Sequence, residues 1–468
     1  MSDRSHVDEA IGEWRREARQ RPPGASYKAI YDDPRPPEFS DDALALRFSE
    51  CHGATLRYVA VWGRWLEWRA NRWAFDETVA VFDMARAVCR AAAAECNQPK
   101  VASAIASAKS VSAVERLARS DRRHAAIVDQ WDADAWLLNT PGGVIDLRSG
   151  AIRPARPEDH LTKITAIAPG GECPRWLQFL DEITAGDADL QSYLRRVLGY
   201  ALTGDTREHA LFFGYGTGRN GKSVLLKTVA DILGNYHKTA SVDTFTASNT
   251  DRHPTDLAGL QGARLVTAIE TEEGRRWAES RIKTLTGGDR VAARFMRQDF
   301  FEFTPQFKLV IAGNHKPSLR SVDEAIRRRF HLIPFAVTIA AEKADAELPE
   351  KLKAEWPGIL AWMVEGCLEW QRDGLKPPQA VLDATAAYLE AEDAIAAWID
   401  DKCELDAKAW STRAELFGSW SAWADRAGEY AGSLKAFIEK LETRGFHQHR
   451  DRRGRGFYGL RVLGASDA

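Results

Sequence analysis

Short apolar segments alternate with helical and polar stretches through the middle of the chain. Residues 211–213 form one such segment, and others lie at 264–270, 307–313 and 329–335. The pattern over residues 222–233 predicts a helix that follows the first segment. Short apolar strands that alternate with helices are typical of a parallel α/β sheet. The pattern therefore predicts an α/β core in this part of the chain.

The region before this core is rich in aromatic residues. Trp62, Trp65 and Trp68 fit one face of a helix, although residues 69–73 also fit the edge of a hairpin. Further on, Pro141-Gly142 separates two apolar runs, which is a strand–turn–strand signal. These patterns predict a mixed helix and strand domain that precedes the core.

Five parts with different textures follow one another along the chain. The first is polar and rich in proline, with a short helix predicted near residues 7–19. The predicted parts are a polar segment and linker (1–44), an α+β accessory domain (45–172), the α/β core (173–345), a helical segment (346–395) and a small mixed domain (396–468).

Composition and charge narrow the class of protein. Apolar residues make up 44% and charged residues 28% of the 468 residues, as in ordinary soluble globular proteins. Because the formal net charge is -3, contact with nucleic acid would depend on local patches or an assembled pore. The six cysteines form no CxxC pair and fit no zinc-binding spacing. With no signal-like start and no long apolar run, we expect a cytoplasmic protein that does not contact a membrane.

The strongest motif follows the first apolar segment. It fits the pattern G-x-x-x-x-G-K-[ST], in which glycines let the backbone wrap closely around phosphates at the start of a helix. Lys222 would reach the outer phosphates of ATP, and Ser223 would ligate Mg²⁺. The candidate cofactor-binding residues are Gly216, Thr217, Gly218, Arg219, Asn220, Gly221, Lys222 and Ser223.

Acidic and polar residues end the next two apolar segments. Glu270 is the candidate for the metal shell, and Glu272 is a candidate for polarising the attacking water. An acidic helix start that faces solvent is the alternative reading of residues 270–273. After the third segment, Asn314 would sense the terminal phosphate, although Gly-Asn is also an ordinary turn.

Three arginines precede the last apolar segment. One of Arg327, Arg328 and Arg329 would reach the nucleotide of a neighbouring subunit as an arginine finger, and we take Arg328 as the candidate. The alternative is a solvated basic helix end.

Together these motifs resemble superfamily 3 helicases of the phage, plasmid and poxvirus primase–helicase type. The resemblance is strongest over residues 213–335 and extends over most of residues 45–465. The motifs that carry it are the P-loop, the Glu270/Glu272 strand, residues 282–289, residues 313–317 and the three arginines. One departure is that Thr271 separates Glu270 from Glu272, where the family often has two adjacent acids.

The resemblance implies a fold and an assembly. We expect an AAA+-like P-loop ATPase core, assembled as a homohexameric ring with single-stranded DNA in its centre. The family often carries a primase domain at the amino terminus, and the 1–44 segment is too short to hold one. Priming is therefore expected from a separate primase or from host replication proteins. A phage or mobile-element source would place the protein in the cytoplasm of a bacterial host.

Two regions carry candidate DNA contacts. By resemblance, residues 293–301 form a hairpin that points into the pore, where Lys283, Arg294 and Arg297 would hold phosphates. Phe295 is expected in the core rather than on a stacking surface. Near the carboxyl terminus, a helix and an aromatic, basic hairpin suggest a winged-helix-like domain, with a solvated arginine loop as the alternative. Its candidate contacts are Arg450, Arg452, Arg453 and Arg455.

These features predict an ATP-dependent DNA helicase that acts on single-stranded and forked DNA in replication. An ATP-switched origin-binding or helicase-loading protein without unwinding activity is the alternative. A P-loop kinase or packaging-type ATPase is a further rival, and it would need neither a pore hairpin nor an arginine acting on a neighbour.

Overall fold

The computed structural model describes most of the chain and divides it into two compact units. The described residues are 36–247, 255–270, 275–296, 299–319, 322–340, 342, 344–451 and 454–463. The first unit contains the described residues up to Trp68 together with Ala74–Asp129, and the second contains Arg69–Trp73 and the described residues from Gln130 onward. The helix predicted near residues 7–19 lies outside the described residues.

Helices surround a small sheet in the first unit. Its sheet has the strand order β3-β2-β1-β4. The elements are α1 (Asp41–His52), β1 (Leu56–Val59), β2 (Arg64–Arg69), β3 (Arg72–Phe75), α2 (Ala80–Glu95), α3 (Pro99–Ile105), α4 (Ala108–Ala118) and β4 (Ala125–Ala126). Three of these helices, α2, α3 and α4, follow one another between β3 and β4.

Trp65 and Trp68 lie on a strand and Trp62 lies in the turn before it, so the helical interpretation of their spacing is wrong. Trp65 and Trp68 belong to β2, which forms a hairpin with β3 through Ala70 and Asn71. Both turn residues have positive φ, +48° and +65°, the conformation that a tight two-residue hairpin turn requires. Strand pairing therefore overrode the helical spacing. The alternative interpretation, a hairpin near residues 69–73, is confirmed.

The second unit begins with an antiparallel sheet and continues into a parallel one. The strand–turn–strand prediction around Pro141-Gly142 is confirmed. Up to the end of the parallel sheet, the elements are β5 (Leu137–Thr140), β6 (Gly143–Asp146), β7 (Ala151–Arg153), α5 (Pro174–Thr184), α6 (Ala188–Tyr200), β8 (Leu211–Tyr215), α7 (Lys222–Leu233), β9 (His237–Thr239), α8 (Thr255–Ala258), β10 (Leu265–Glu270), α9 (Glu279–Gly287), β11 (Val291–Ala293), β12 (Phe301–Phe303), β13 (Lys308–Gly313), α10 (Glu324–Arg327) and β14 (Phe330–Pro334).

The parallel sheet has five strands in the order β14-β8-β13-β10-β9. Each neighbouring pair is parallel, so all five carboxyl ends meet at one edge. The four predicted apolar segments are β8, β10, β13 and β14, and the predicted helix is α7 with the same bounds. The α/β core with a parallel sheet is therefore confirmed.

Apolar side chains cover both faces of this sheet. On one face, Leu138, Ile145 and Leu147 from β5, β6 and the following turn join the cluster that contains Trp176 and Val229. This shared core explains why the compact units divide at Asp129, whereas the accessory domain was expected to extend to residue 172. The other face buries residues of β8, β10 and β13 with the segment around α9.

Helices and a second small sheet follow the parallel sheet. They are α11 (Leu348–Ala354), α12 (Trp356–Asp373), α13 (Gln379–Ala391), α14 (Ala394–Lys402), β15 (Cys403–Glu404), β16 (Trp410–Thr412), α15 (Arg413–Ala427), α16 (Leu434–Thr443), β17 (Gln448–Asp451), β18 (Gly454–Tyr458) and β19 (Arg461–Val462). Strands β16, β18 and β17 form an antiparallel sheet, with a core that includes Trp398, Trp420 and Phe437. In the described part of the chain, no helix combines the length and apolar character that crossing a membrane requires.

Candidate nucleotide-binding site

A glycine-rich loop joins β8 to α7 at the carboxyl edge of the parallel sheet. The loop needs glycine at two positions for steric reasons. A Cβ atom on Gly216 would lie 2.3 Å from Asn220 Nδ2 and 2.3 Å from the carbonyl oxygen of Phe335. A Cβ atom on Gly221, which has φ +79°, would lie 2.4 Å from Ile183 Cγ2. The predicted P-loop is therefore closely packed against α5 and the end of β14.

Lys222 and Asn220 hold the inside of this loop. The Lys222 ammonium donates to the carbonyl oxygen of Gly216 at 2.9 Å and to Asn220 Oδ1 at 3.0 Å. The amide nitrogen of Asn220 donates to the carbonyl oxygen of Phe335 at 3.2 Å. Both side chains are buried, and burial lowers the pKa of Lys222. An anion within the loop would favour the charged ammonium again.

The remaining loop residues are more open. A Cβ atom on Gly218, at φ +92°, would meet nothing within 4 Å. Arg219 has φ +49°, and its carbonyl oxygen accepts from the Ile339 amide at 2.7 Å. Thr217 Oγ1 lies 3.5 Å from Thr338 Oγ1. Ser223 is exposed in the first turn of α7. The loop surface and the helix start are thus accessible to a ligand.

The predicted polar residues meet at the same edge of the sheet. Glu270 is the last residue of β10 and pairs with Gly313 of β13, which in turn pairs with Tyr215 of β8. Asn314 follows directly and is exposed. The side chain of Glu270, and all of Glu272, lie outside what the structure describes.

One residue near the loop, Lys316, was not predicted as a site residue from the sequence motifs. The Lys316 ammonium lies 4.4 Å from the centre of the Tyr215 ring, immediately before the P-loop, and 5.7 Å from that of Tyr388. A cation over an aromatic face is attracted by the ring. Lys316 lies two residues after Asn314. The only sequence signal for it was its position within residues 313–317, one of the motifs that carry the family resemblance.

The three arginines have different surroundings. Arg327 pairs with Asp393 at 3.6 Å, and Arg329 donates to the carbonyl oxygen of Ala325 at 2.8 Å. The Arg328 side chain is 72% exposed and lies 3.8 Å from an equally exposed Glu324. Arg328 is thus the most accessible of the three cations.

These arginines lie at the opposite edge of the sheet from the P-loop. In the register of β14 and β8, Phe330 pairs with Leu211 and Pro334 pairs with Tyr215. The Leu211 amide donates to the carbonyl oxygen of Arg329 at 2.7 Å. The P-loop follows Tyr215, whereas Arg328 precedes Phe330, so the length of a strand separates them.

Strands β11 and β12 form the hairpin that was predicted before the sensing strand. Val291 pairs with Phe303, and Ala293 pairs with Phe301. The Arg294 guanidinium lies 4.8 Å from the centre of the Phe300 ring, and Phe300 is 62% exposed. Arg297 lies outside the described residues.

The expectation that Phe295 is a core residue is wrong. Phe295 is 40% exposed, and its ring stacks on Phe301 with centroids 5.7 Å apart. The reason is that β11 ends at Ala293, the last buried residue of that strand, so the alternation that would turn Phe295 inward stops before it. The described part of the hairpin therefore presents aromatic as well as basic side chains.

Lys283 is held by an ion pair. Its ammonium contacts the carboxylate of Asp323, which also accepts from the Ile326 amide at 2.8 Å as the cap of α10. Burial acts to raise the pKa of Asp323, but the hydrogen bonds from Lys283 and from backbone amides outweigh it and lower that pKa. The structure thus places this predicted DNA contact against a short helix of its own chain.

The carboxyl-terminal hairpin brings two of the predicted arginines together. Arg450 of β17 lies directly opposite Arg455 of β18. Arg452 and Arg453 lie outside the described residues. Like charges at directly opposite positions of a hairpin are destabilising unless an anion balances them.

Two family models match this chain. The one described as D5 N terminal like matches residues 45–185, and the one described as Family of unknown function (DUF5906) matches residues 214–329. Proteins named "Putative helicase" align with 58% of the chain at 27% identity in Acanthamoeba polyphaga mimivirus and with 54% at 23% identity in Frog virus 3 (isolate Goorha). The chain is thus similar to the D5-type superfamily 3 helicases. The resemblance found in the sequence is thereby confirmed.

The chain spans about a third of the length of those relatives, with 31% and 28% of their residues covered. Among solved structures, the NrS-1 C terminal region aligns with 76% of this chain and 77% of its own, at 12% and 13% identity and with TM-scores of 0.47 and 0.48. That likeness is too distant to bear on activity.

Proposed function

We propose that this chain is the motor of a DNA helicase, in which ATP is hydrolysed between subunits of a ring. The observation that carries the proposal is the placement of Lys222 and Arg328 at opposite edges of one sheet. The P-loop follows the carboxyl end of β8, and Arg328 precedes the amino end of the adjacent β14. A strand of this length spans about 15 Å. Arg328 is therefore suited to a nucleotide held by another subunit.

The residues of the loop fit a nucleoside triphosphate with Mg²⁺. The loop is already wrapped around the Lys222 ammonium, whose acceptors are a carbonyl and an amide oxygen, and α7 begins at that point. Backbone amides at a helix start bind phosphate oxygens. Bound ATP would supply the phosphoryl group that is transferred to water, and Mg²⁺ would neutralise charge on its phosphate oxygens.

The chain's own residues would share the work at that site. Lys222 would hold the outer phosphates, and Ser223 and Glu270 would complete the metal shell. Asn314, exposed at the same sheet edge as Glu270, would sense the terminal phosphate, and Glu272 is the candidate for polarising the attacking water. Arg328 would neutralise charge that develops on the neighbour's phosphate in the transition state.

A ring with head-to-tail interfaces satisfies this geometry, because each subunit presents its P-loop to one neighbour and its arginine to the other. A homohexamer is the assembly that we propose. The β11/β12 hairpin would then face single-stranded DNA in the centre, with Arg294 and Arg297 on phosphates and exposed Phe300 beside the bases.

The carboxyl-terminal elements support a second DNA contact. Helix α14, strand β16, helices α15 and α16, and the hairpin β17/β18 follow one another in the order of a winged helix. The domain boundary expected near residue 396 lies close to the start of α14 at Ala394. Arg450 and Arg455, with Arg452 and Arg453, would contact the phosphates of forked DNA. A separate primase or host replication proteins would be the partners in replication.

The test is unwinding of a forked DNA duplex with ATP and Mg²⁺ by the wild type and by Lys222→Ala. Lys227→Ala is the matched control, because Lys227 lies on the same helix but pairs with Asp231 at the surface. We expect unwinding by the wild type and the control, and none by Lys222→Ala. ATP hydrolysis that responds to single-stranded DNA without strand separation would support the loading protein instead, a function that the basic carboxyl-terminal hairpin also allows.

A further inference from the structure

Arg328, which we propose to act on a neighbouring subunit, directly follows a very short helix. Helix α10 contains only Glu324–Arg327, and Arg328 follows it directly. One turn of helix is not stable on its own, so its position depends on contacts with the rest of the fold. The buried side chain of Ile326 is one such contact. Ion pairs at both ends of the helix are further contacts.

At the amino end, Asp323 connects α10 to the segment that leads into the hairpin. Its carboxylate caps the helix through the Ile326 amide and pairs with Lys283 of α9. The Lys283 side chain is 31% exposed. The pair therefore links α10 to the helix that immediately precedes β11.

At the other end, Asp393 connects α10 to the carboxyl-terminal elements. Its Oδ2 lies 3.6 Å from Arg327 Nη2, and its Oδ1 accepts a hydrogen bond from Arg444 at the end of α16. The same carboxylate caps α14, accepting from the Ala396 amide at 3.2 Å. The Asp393 side chain is only 11% exposed. One carboxylate thus contacts three separate segments.

A cleft borders these charged contacts. Asp323, Asp393 and Arg444 line a cleft of about 320 Å³ between α10 and the carboxyl-terminal elements. The pairs of Asp393 with Arg327 and Arg444 add to the apolar cluster that Ile326 shares with Tyr388 and Leu389. Removing one partner of a largely buried ion pair leaves its other partners uncompensated.

We propose that Asp393 is a positioning residue: through Arg327 it holds α10 where Arg328 can reach the neighbour's nucleotide. This inference rests on the proposed function, since it needs an ATP site shared between subunits. Asp393 touches no nucleotide itself. Its loss should lower kcat for ATP hydrolysis and leave KM for ATP almost unchanged, because the P-loop that binds ATP lies at the other edge of the sheet.

The variants are Asp393→Asn, Arg327→Gln and the double variant. Asparagine keeps the cap of α14, because it is as good an N-cap as aspartate, and removes only the charge. We expect each single variant to lower kcat about tenfold, with KM changed less than about twofold, and the double variant to lower kcat no further. Arg461→Gln is the matched control, because it breaks an exposed pair with Glu404 far along the chain from α10. It should behave like the wild type.

Mixed assemblies decide on which side of the shared site Asp393 acts. Two variants are co-expressed with different tags, and assemblies that contain both are isolated. Lys222→Ala with Arg328→Ala should regain hydrolysis at about a quarter of the interfaces if the subunits mix at random. Assemblies of Asp393→Asn with Lys222→Ala should hydrolyse ATP faster than Asp393→Asn alone. At some of their interfaces, an intact α10 from one subunit then faces an intact P-loop from the other. Assemblies of Asp393→Asn with Arg328→Ala should hydrolyse ATP more slowly than Asp393→Asn alone.

The outcomes separate the two proposals. If Lys222→Ala and Arg328→Ala do not complement each other, the shared ATP site is wrong and the role of Asp393 falls with it. If they do complement but Asp393→Asn is raised by Arg328→Ala and not by Lys222→Ala, Asp393 serves its own P-loop and the positioning role is overturned. A rise in KM as large as the fall in kcat would also overturn the positioning role. So would a double variant whose kcat falls by the combined effect of the two single substitutions.

Discussion

The ammonium of Lys222 lies 3.0 Å from Oδ1 of Asn220, two residues earlier in the same loop. Asn220 in turn donates to the carbonyl oxygen of Phe335 at 3.2 Å, at the end of the neighbouring strand. The side chain that would bind phosphate is therefore held in place by the loop itself and by β14. A ligand would find the lysine already directed into the loop, which reduces the ordering that binding requires.

Asn220→Ala should weaken ATP binding. The substitution removes an acceptor of Lys222 and the hydrogen bond to Phe335. Part of the free energy of ATP binding is then needed to order the loop. Two net hydrogen bonds correspond to about 1–3 kcal/mol, or roughly a five- to hundredfold rise in the dissociation constant. A titration with a fluorescent ATP analogue measures it. Lys227→Ala is the control and should bind like the wild type, and equal affinity of Asn220→Ala would show that the loop is ordered without this residue.

Gly221→Ala should destabilise the fold more than Gly218→Ala. Both glycines have positive φ, +79° and +92°, which costs an alanine about 1–2 kcal/mol. Only at Gly221 would the new methyl group also meet Ile183 at 2.4 Å and Phe179 at 3.0 Å, adding about 1–3 kcal/mol of overpacking. Urea unfolding measures the difference. Equal losses in the two variants would show that α5 moves aside easily.

His331 should make stability depend on pH. Its Nδ1 shares a hydrogen bond with the Tyr193 hydroxyl at 2.7 Å, and burial lowers its pKa to about 4. The unfolded chain, with a histidine pKa of about 6.5, binds the proton more readily. Stability contributed by neutral His331 is therefore complete above pH 6.5 and is lost as the pH falls towards 4.

His331→Gln isolates this contribution from other groups that titrate in the same window. Between pH 7 and pH 5, the wild type should lose about 2 kcal/mol more unfolding free energy than the variant does. Denaturant unfolding at the two pH values gives both numbers. Parallel losses in the two proteins would mean that His331 does not titrate in this range in the folded state.

Replacing Arg450 and Arg455 together by alanine should have opposite effects on folding and on DNA binding. The two cations face each other across the β17/β18 hairpin, so their removal should leave stability unchanged or slightly higher. Binding to duplex DNA should weaken, and the slope of log K against log salt should become shallower by about 2. Fluorescence anisotropy over a salt series measures the slope, with Arg461→Ala as the control. An unchanged slope would place DNA elsewhere.

Features that depend on neighbouring residues could be predicted from the amino-acid sequence. The P-loop, its helix Lys222–Leu233 and the apolar strands were predicted, because glycine conformations, a helix start and short buried runs are properties of local sequence. The placement of Glu270 and Asn314 at one edge also followed, since parallel strands end together.

The contacts between distant residues became visible in the folded structure. It turned Trp65 and Trp68 onto a strand, because pairing across a hairpin outweighed a helical spacing. It paired Lys283 with Asp323, 40 residues later, and joined Asp393 to both Arg327 and Arg444. Charged residues carry no local signal of their partners, because an ion pair depends on how the chain folds back and not on the residues beside it. For that reason the motifs were readable in the sequence, and the contacts that position Arg328 were not.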